Sequence, residues 1–165
     1  AAQLSRKYPG IVMPYVNPLL GIVPGEIQNK PKQWFVYTPP AVPQSILASA
    51  QNANFPIQVQ NDSYFVLMAL SGIVTETDNL TVVDPAPLTL QINDSGSGAN
   101  WFFNPVQWSS VVGTGKWPGV TSFPRILNPA TTLTVFVSNL VATPYQFSLQ
   151  LLGFKIYHLM ADLTS

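Results

Sequence analysis

The chain has 165 residues, with seven Lys and Arg, seven Asp and Glu, and a formal net charge of zero. Only 8% of it is charged, and it contains no cysteine. Binding to a nucleic-acid backbone requires an excess of Lys and Arg, and disulfide scaffolds and thiolate metal sites require cysteine. The longest apolar runs, such as Tyr64–Leu70, are far shorter than the ~20 residues of a membrane-spanning helix, and no signal-peptide pattern is present. We therefore expect a soluble single domain with no direct contact to nucleic acid or membrane.

The low charge predicts an unusual surface. A typical soluble domain is about 25% charged, so Asn and Gln, with eleven residues each, must supply much of the polar exterior here. Two interpretations remain open: the protein covers much of its surface with other protein subunits, or it is a monomer with a neutral polar exterior.

Residues 1–43 are predicted to form an extended, proline-rich N-terminal arm. Eight of the 16 prolines lie there, which excludes a long helix and interrupts any central strand. The segment is nevertheless apolar, so it must lie on its own domain or reach a neighbouring one. Residues 1–35 have a net charge of +3, and residues 36–165 have a net charge of −3. The candidate interface residues in the arm are Pro14, Tyr15, Leu19, Leu20, Trp34, Phe35 and Tyr37.

Beyond the arm, Gln44–Ala53 is the only segment whose sequence predicts a helix. From there the pattern changes to short segments of alternating or continuous apolar residues, bounded by turn residues, which is typical of strands. The predicted strands are Phe55–Gln60, Ser63–Val74, Leu80–Val83, Leu88–Ile92, Trp101–Phe103, Ser122–Leu127, Thr131–Leu140 and Tyr145–His158. Pro124 and Pro129 make Ser122–Leu127 an edge or irregular strand.

Seven or eight strands at this spacing indicate an all-β protein. The absence of long helical periodicity argues against βαβ units. Long strands, long polar loops and the absence of a repeat favour an antiparallel β-sandwich of jelly-roll type, covering residues 44–165.

The sequence offers no convincing catalytic, cofactor or metal site. His158 is the only histidine, no G-x-S-x-G element occurs, and we interpret His158 as a surface residue at the end of a strand. The acids Glu76, Asp78 and Asp84 are the candidates for a glycosidase pair or a calcium site, but they lack the calcium-loop spacing and are interpreted as solvated loop residues. Asp94 is interpreted as a turn former. The segment 112–117 fails the spacing of a phosphate-binding loop.

Aromatic residues remain as candidate ligand or interface positions. Trp101, Trp108 and Trp117 lie in the loop-rich stretch 100–120 together with Phe102 and Phe103. Exposed aromatics on sandwich loops stack on sugars or anchor protein interfaces. The alternative is that these rings close the open end of the sandwich.

Five segments of the C-terminal part of the chain carry a family resemblance: Ile57–Ile73, Leu88–Gly98, Ser122–Pro129, Leu133–Leu140 and Leu151–Tyr157. Through these segments the chain resembles small structural proteins of tailed-bacteriophage virions. The resemblance implies a jelly-roll-like accessory protein of the head, neck or collar, present in many copies and docked by an extended arm. It transfers no site residues.

We expect a non-enzymatic virion structural protein that decorates the capsid or belongs to the neck or collar. It would form a symmetric homo-oligomer, bind other virion proteins such as capsid or portal, and need no cofactor. The alternative is a carbohydrate- or receptor-binding module of a viral fibre or spike. A glycosidase is the third hypothesis.

Overall fold

The computed structural model describes residues 32–40, 44–46 and 53–157, which form ten strands and one short helix. The strands are β1 (Lys32–Tyr37), β2 (Gln44–Ile46), β3 (Ala53–Gln58), β4 (Ser63–Glu76), β5 (Leu88–Asp94), β6 (Ala99–Asn100), β7 (Val106–Gln107), β8 (Gly119–Leu127), β9 (Thr132–Asn139) and β10 (Tyr145–Tyr157). The helix α1 is Trp108–Val111. Within these ranges, no helix is long and apolar enough to cross a membrane.

The strands form two antiparallel sheets that pack against each other. One sheet has the order β1-β10-β4-β8, with β2 also paired to β10, and the other has the order β3-β9-β5-β6, with β7 also paired to β5. When β1 with β2 and β6 with β7 are each counted as one strand, the chain makes eight strands that cross between the sheets at most steps. This is the jelly-roll arrangement, and it confirms the predicted all-β sandwich.

The core lies between the sheets and follows the predicted alternation. In β9, Leu133, Val135 and Val137 are fully buried, as the sequence pattern predicts. In β10, Phe147 and Leu149 and the later odd-numbered residues to Lys155 are buried in the same way. Period-two alternation places these side chains on one face, and that face packs against the opposite sheet.

The predicted helix Gln44–Ala53 is wrong at both described ends, because Ala53 begins the strand β3. Gln44–Ile46 form the strand β2, which pairs with Tyr145–Phe147 of β10. Backbone pairing along the edge of β10 satisfies polar groups that a helix of one or two turns would leave partly unbonded, so tertiary context overrides helix propensity. Residues 47–52 lie outside the described part of the chain.

Two predicted strands are also absent, and a helix replaces an expected loop. In Leu80–Val83 only Val82 makes a β-bridge, to Thr75, because Leu80 adopts a left-handed conformation with φ of +58° that interrupts an extended segment. The segment Trp101–Phe103 follows the two-residue strand β6 as a series of bends. The helix α1 has no counterpart among the sequence predictions.

The sheet begins within the predicted arm. Lys32–Tyr37 form β1 and pair with residues 151–156 of β10. The rest of the predicted arm, except residues 38–40, lies outside the described residues.

Lys155 joins β1 to the body of the sandwich. Its side chain is only 2% exposed, and its ammonium group lies 3.9 Å from the ring centroid of Phe35. It donates a hydrogen bond to Gln60 Oε1 and lies 4.0 Å from the carboxylate of Asp62. The hydroxyl of Tyr37 accepts a hydrogen bond from the backbone N–H of Gln60 at 2.9 Å. Gln60, in the loop after β3, therefore contacts β1 through its backbone and β10 through its side chain. Burial raises the pKa of Tyr37, and the negative charge of Asp62 adds to that effect.

Candidate interaction surface

Large apolar side chains are exposed at one end of the β1-β10-β4-β8 sheet. Trp117 is 73% exposed, Val82 57% and Ile73 48%, and all three line one cleft. The cleft has a volume of about 240 Å³. A cluster of exposed apolar residues is a candidate interaction site, whereas single exposed apolar residues are common on protein surfaces. We call this feature the end cleft.

The first wall of the end cleft is the turn that follows β4, residues 76–83. The backbone N–H of Glu76 donates to the carbonyl of Thr81 at 2.9 Å, and the N–H of Val83 donates to the carbonyl of Val74 at 2.9 Å. Asn79 stabilises the turn through its side chain, which donates to Glu76 Oε2 and accepts from the N–H of Thr81. These bonds fix Val82 in position beside β4.

The second wall is the loop 112–119, between α1 and β8. Its backbone is tied to β4, since the N–H of Gly72 donates to the carbonyl of Gly113 and the N–H of Gly113 donates to the carbonyl of Leu70. Thr114 and Trp117 close the loop: the N–H of Thr114 donates to the Trp117 carbonyl at 2.9 Å, and the N–H of Trp117 donates to Thr114 Oγ1 at 3.1 Å. The exposed indole of Trp117 is therefore carried on an ordered turn.

Gly113 has no space for a side chain. A Cβ at this position would overlap with the Trp117 carbonyl oxygen and the Gly119 nitrogen. The close approach of these backbone segments requires glycine, because any other residue would push the loop apart.

The floor of the end cleft is apolar. Trp108 and Val112 line it from the loop side and are buried, and Ala86 lines it from the segment that precedes β5. Trp108 packs edge to face against Phe147 of the core, with ring centroids 5.3 Å apart. The floor is thus continuous with the core and cannot easily collapse.

The two walls take the place of β8 along this part of β4. The strand β8 pairs with β4 only from Phe65 to Leu70, and isolated bridges join Ser71 to Gly113 and Thr75 to Val82. Between these bridges, the N–H of Gly72 donates to the Gly113 carbonyl, and the carbonyl of Val74 accepts from the N–H of Val83.

Acidic residues surround the first wall. Asp84 lines the end cleft, and Glu76 and Asp78 lie in the neighbouring turn. The second wall carries one basic residue, Lys116, whose ammonium group lies 5.8 Å from the ring centroid of Trp117. The three carboxylates were candidate catalytic or calcium-binding residues, but no group of three or more His, Cys, Asp or Glu able to hold a metal occurs in the described ranges.

The other aromatic candidates occupy different environments. Trp101 and Trp108 are buried and so belong to the core, whereas Phe103 is 99% exposed. Trp101 lines a second groove of about 590 Å³, in which the Arg125 guanidinium carbon lies 5.0 Å from its ring centroid. The indole N–H of Trp101 is buried and has no hydrogen-bond partner among the described residues. The structure does not bring Trp101 and Trp117 into one pocket.

The candidate residues of the arm divide in the same way. Trp34 is half-exposed on β1 and packs edge to face on Phe154 at 5.0 Å, whereas Tyr37 is buried in the core and Phe35 packs partly against it. The candidates Pro14, Tyr15, Leu19 and Leu20, and also His158, lie outside the described residues.

Asp94 is a turn former, as predicted. Its carboxylate accepts hydrogen bonds from the Gly96 N–H at 2.8 Å and the Ser97 hydroxyl at 2.9 Å. Both oxygens are therefore used to hold the turn between β5 and β6.

Sequence analysis did not identify Ile73 and Val82 as surface residues. Ile73 lies in a continuous apolar run, in which no alternation distinguishes the outward positions. Val82 lies in a segment that resembles a half-buried strand. Ile73 lies beyond Leu70, the β4 residue that pairs with Gly119 at the start of β8.

Comparisons with known proteins add one structural likeness. No protein-family model matches the chain, and no curated protein matches it. A solved cryo-EM structure, the virus-like particle of the extra small virus of the giant freshwater prawn Macrobrachium rosenbergii, is similar over 81% of this chain and 84% of that chain. The two chains are 10% identical, with a TM-score of 0.29. A likeness of this size carries no argument about role or host, and the fold assignment rests on the strand order.

Proposed function

We propose that this protein is a non-enzymatic structural subunit of a virion, which assembles with copies of itself through apolar surfaces and docks by its N-terminal arm. The observation that carries the proposal is the end cleft. It is ordered and apolar, and it is continuous with the core, yet Trp117, Val82 and Ile73 remain exposed at its rim. Exposure of apolar side chains to water is unfavourable in free energy, and burial against another subunit removes that unfavourable term.

The low charge of the chain supports the same proposal. The body carries few ions that would repel neighbouring copies, so close packing of many subunits is electrostatically permitted. Jelly rolls are among the folds of viral capsid domains, although the same fold also serves lectins and cupins, so fold alone does not assign the function.

The position in the virion follows from the sequence resemblance alone. A capsid-decorating or neck and collar subunit of a tailed phage would contact capsid or portal proteins in addition to its own copies. It would need no cofactor and would not contact nucleic acid or membrane directly.

Sedimentation velocity of the full chain over a wide concentration range tests the proposal. We expect discrete multimers of defined size at micromolar concentration, because specific interfaces of standard size give affinities in this range or tighter. An 18.0 kDa monomer at all concentrations would refute self-assembly.

A carbohydrate- or receptor-binding role is the second candidate. The observation that favours it is the solvent-exposed ring of Trp117 beside a cleft, an arrangement that can stack on a sugar. A glycan array with the full chain and Trp117→Ser tests it: a sugar bound by the first and lost by the second supports this role, and no binding by either removes it. Trp108 is unsuitable for the test because its ring is buried in the core.

A further inference from the structure

We propose that the end cleft binds residues 1–31 of a neighbouring copy of this chain. The inference rests on the proposed function and adds to it the docking site and its occupant. Two properties of the described residues support it, the apolar character of the cleft and its acidic rim, and the place of the cleft in the fold permits it.

The apolar character of the two surfaces matches. The cleft presents Trp117, Val82 and Ile73 to solvent. Residues 1–31 contain an equally apolar sequence broken by five prolines. Proline favours an extended backbone without internal hydrogen bonds, and extended proline-rich segments dock in grooves lined by aromatic rings. The apolar residues available in the segment are Leu4, Tyr8, Ile11, Val12, Met13, Tyr15, Val16, Leu19, Leu20, Ile22, Val23 and Ile27.

The charges of the two surfaces are complementary. Residues 1–31 contain three basic residues and one acidic residue, Glu26. The first wall of the cleft contains Glu76 and Asp78 in its turn, and Asp84 lines the cleft itself. Lys116 on the second wall is the one opposing charge in that loop, and it lies over the Trp117 ring. The acids therefore favour the basic segment over an acidic one and orient its approach.

The place of the cleft in the fold puts it within reach of the segment. The described residues begin at Lys32, opposite Ile156 of β10, whereas the β4 residues that line the cleft, 72–74, lie opposite residues 147–149 of β10. The stretch of β10 between these points spans roughly 25 Å. A segment of 31 residues reaches up to about 100 Å when extended, so it can reach the cleft of an adjacent copy as well as its own. The proposed self-assembly selects the adjacent copy, and such a contact generates a ring when the rotation between copies closes and a filament when it does not.

Disulfide trapping in the full chain tests the inference, because the chain has no cysteine of its own. One preparation carries Tyr15→Cys or Leu20→Cys, and it is mixed with a second preparation that carries Val82→Cys. After mild oxidation, peptide mass spectrometry identifies the mixed disulfides. The matched control replaces Val82→Cys by Phe103→Cys, a fully exposed position outside the cleft.

We expect mixed arm–Val82 disulfides about tenfold above the arm–Phe103 control, because docking raises the local concentration of the arm at the cleft. Equal yields for Val82 and Phe103 in a multimeric protein would overturn the inference while leaving self-assembly intact. A double variant with both cysteines in one chain that closes only within that chain would also overturn it. A protein that stays monomeric in the same samples would instead refute the proposed function.

Discussion

The buried Lys155 provides a sharp test of how the first strand is held. Truncation by Lys155→Ala removes three methylene groups beyond Cβ, each worth about 0.8 kcal/mol when buried. It also removes an ammonium group 3.9 Å from the Phe35 ring, a contact worth about 2 kcal/mol in a desolvated site. Asp62 contributes little, since it is half-exposed and 4.0 Å away. Part of this loss is offset because the variant no longer buries a charge. We therefore expect Lys155→Ala to lower the free energy of unfolding by about 2–4 kcal/mol.

The matched variant is Lys155→Met, which keeps most of the side-chain volume and removes the charge. Lys155→Met should change the free energy of unfolding by less than about 1 kcal/mol, because a well-packed apolar residue often replaces a buried ion without loss of stability. Urea unfolding at one fixed protein concentration measures both variants, and for Lys155→Ala the midpoint should fall by about 1–2 M. If Lys155→Met loses as much stability as Lys155→Ala, the charge and not the packed stem holds β1, and the reasoning is wrong.

Three further predictions concern single residues. Burial raises the pKa of Tyr37, so its contribution to stability is complete below the unfolded-state pKa of 10.0 and is lost as the pH rises through the higher folded-state value. In a series of urea midpoints measured at increasing pH, the midpoint of Tyr37→Phe should therefore fall less steeply above pH 10 than the midpoint of the unchanged chain. Gly113→Ala should abolish the multimers seen in sedimentation velocity, because a Cβ at this position displaces the turn that carries Trp117. Its far-UV circular dichroism spectrum should remain that of a β protein. Multimers of normal size would contradict this prediction. Asp94→Ala should lower the unfolding free energy by about 1–2 kcal/mol through loss of two hydrogen bonds to the turn, and an unchanged urea midpoint would refute that role.

The sequence predicted those parts of the fold that depend on local pattern. The alternation in Thr131–Leu140 and Tyr145–His158 identified β9 and β10 within a few residues, because a period of two indicates a strand when polar and apolar residues alternate. The sequence predicted Ser122–Leu127 as an edge or irregular strand, and β8 lies at an edge of its sheet with a register shift in its pairing to β4. It failed at Gln44–Ala53, where pairing with a distant strand decides the structure.

The candidate site was beyond sequence reasoning for a physical reason. The end cleft combines residues from β4, the turn after it and the loop before β8, and only the strand order brings these segments together. The tryptophans of one loop also divide between core and surface. Trp108 is buried because α1 directs its ring at Phe147, whereas Trp117 is exposed because its turn projects from the sheet edge. Neither outcome is encoded in the spacing of the two residues.

Sedimentation velocity of three full-length proteins at one concentration tests the central claim most directly: the unchanged chain, Trp117→Ser and Phe103→Ser. Both substitutions replace an exposed aromatic ring, so neither should change the free energy of unfolding by more than about 0.5 kcal/mol. The account predicts multimers for the unchanged chain and for Phe103→Ser. For Trp117→Ser it predicts at least about tenfold weaker association, as expected of a buried aromatic anchor. Equal association of Trp117→Ser and Phe103→Ser would contradict the assignment of the end cleft as the assembly surface.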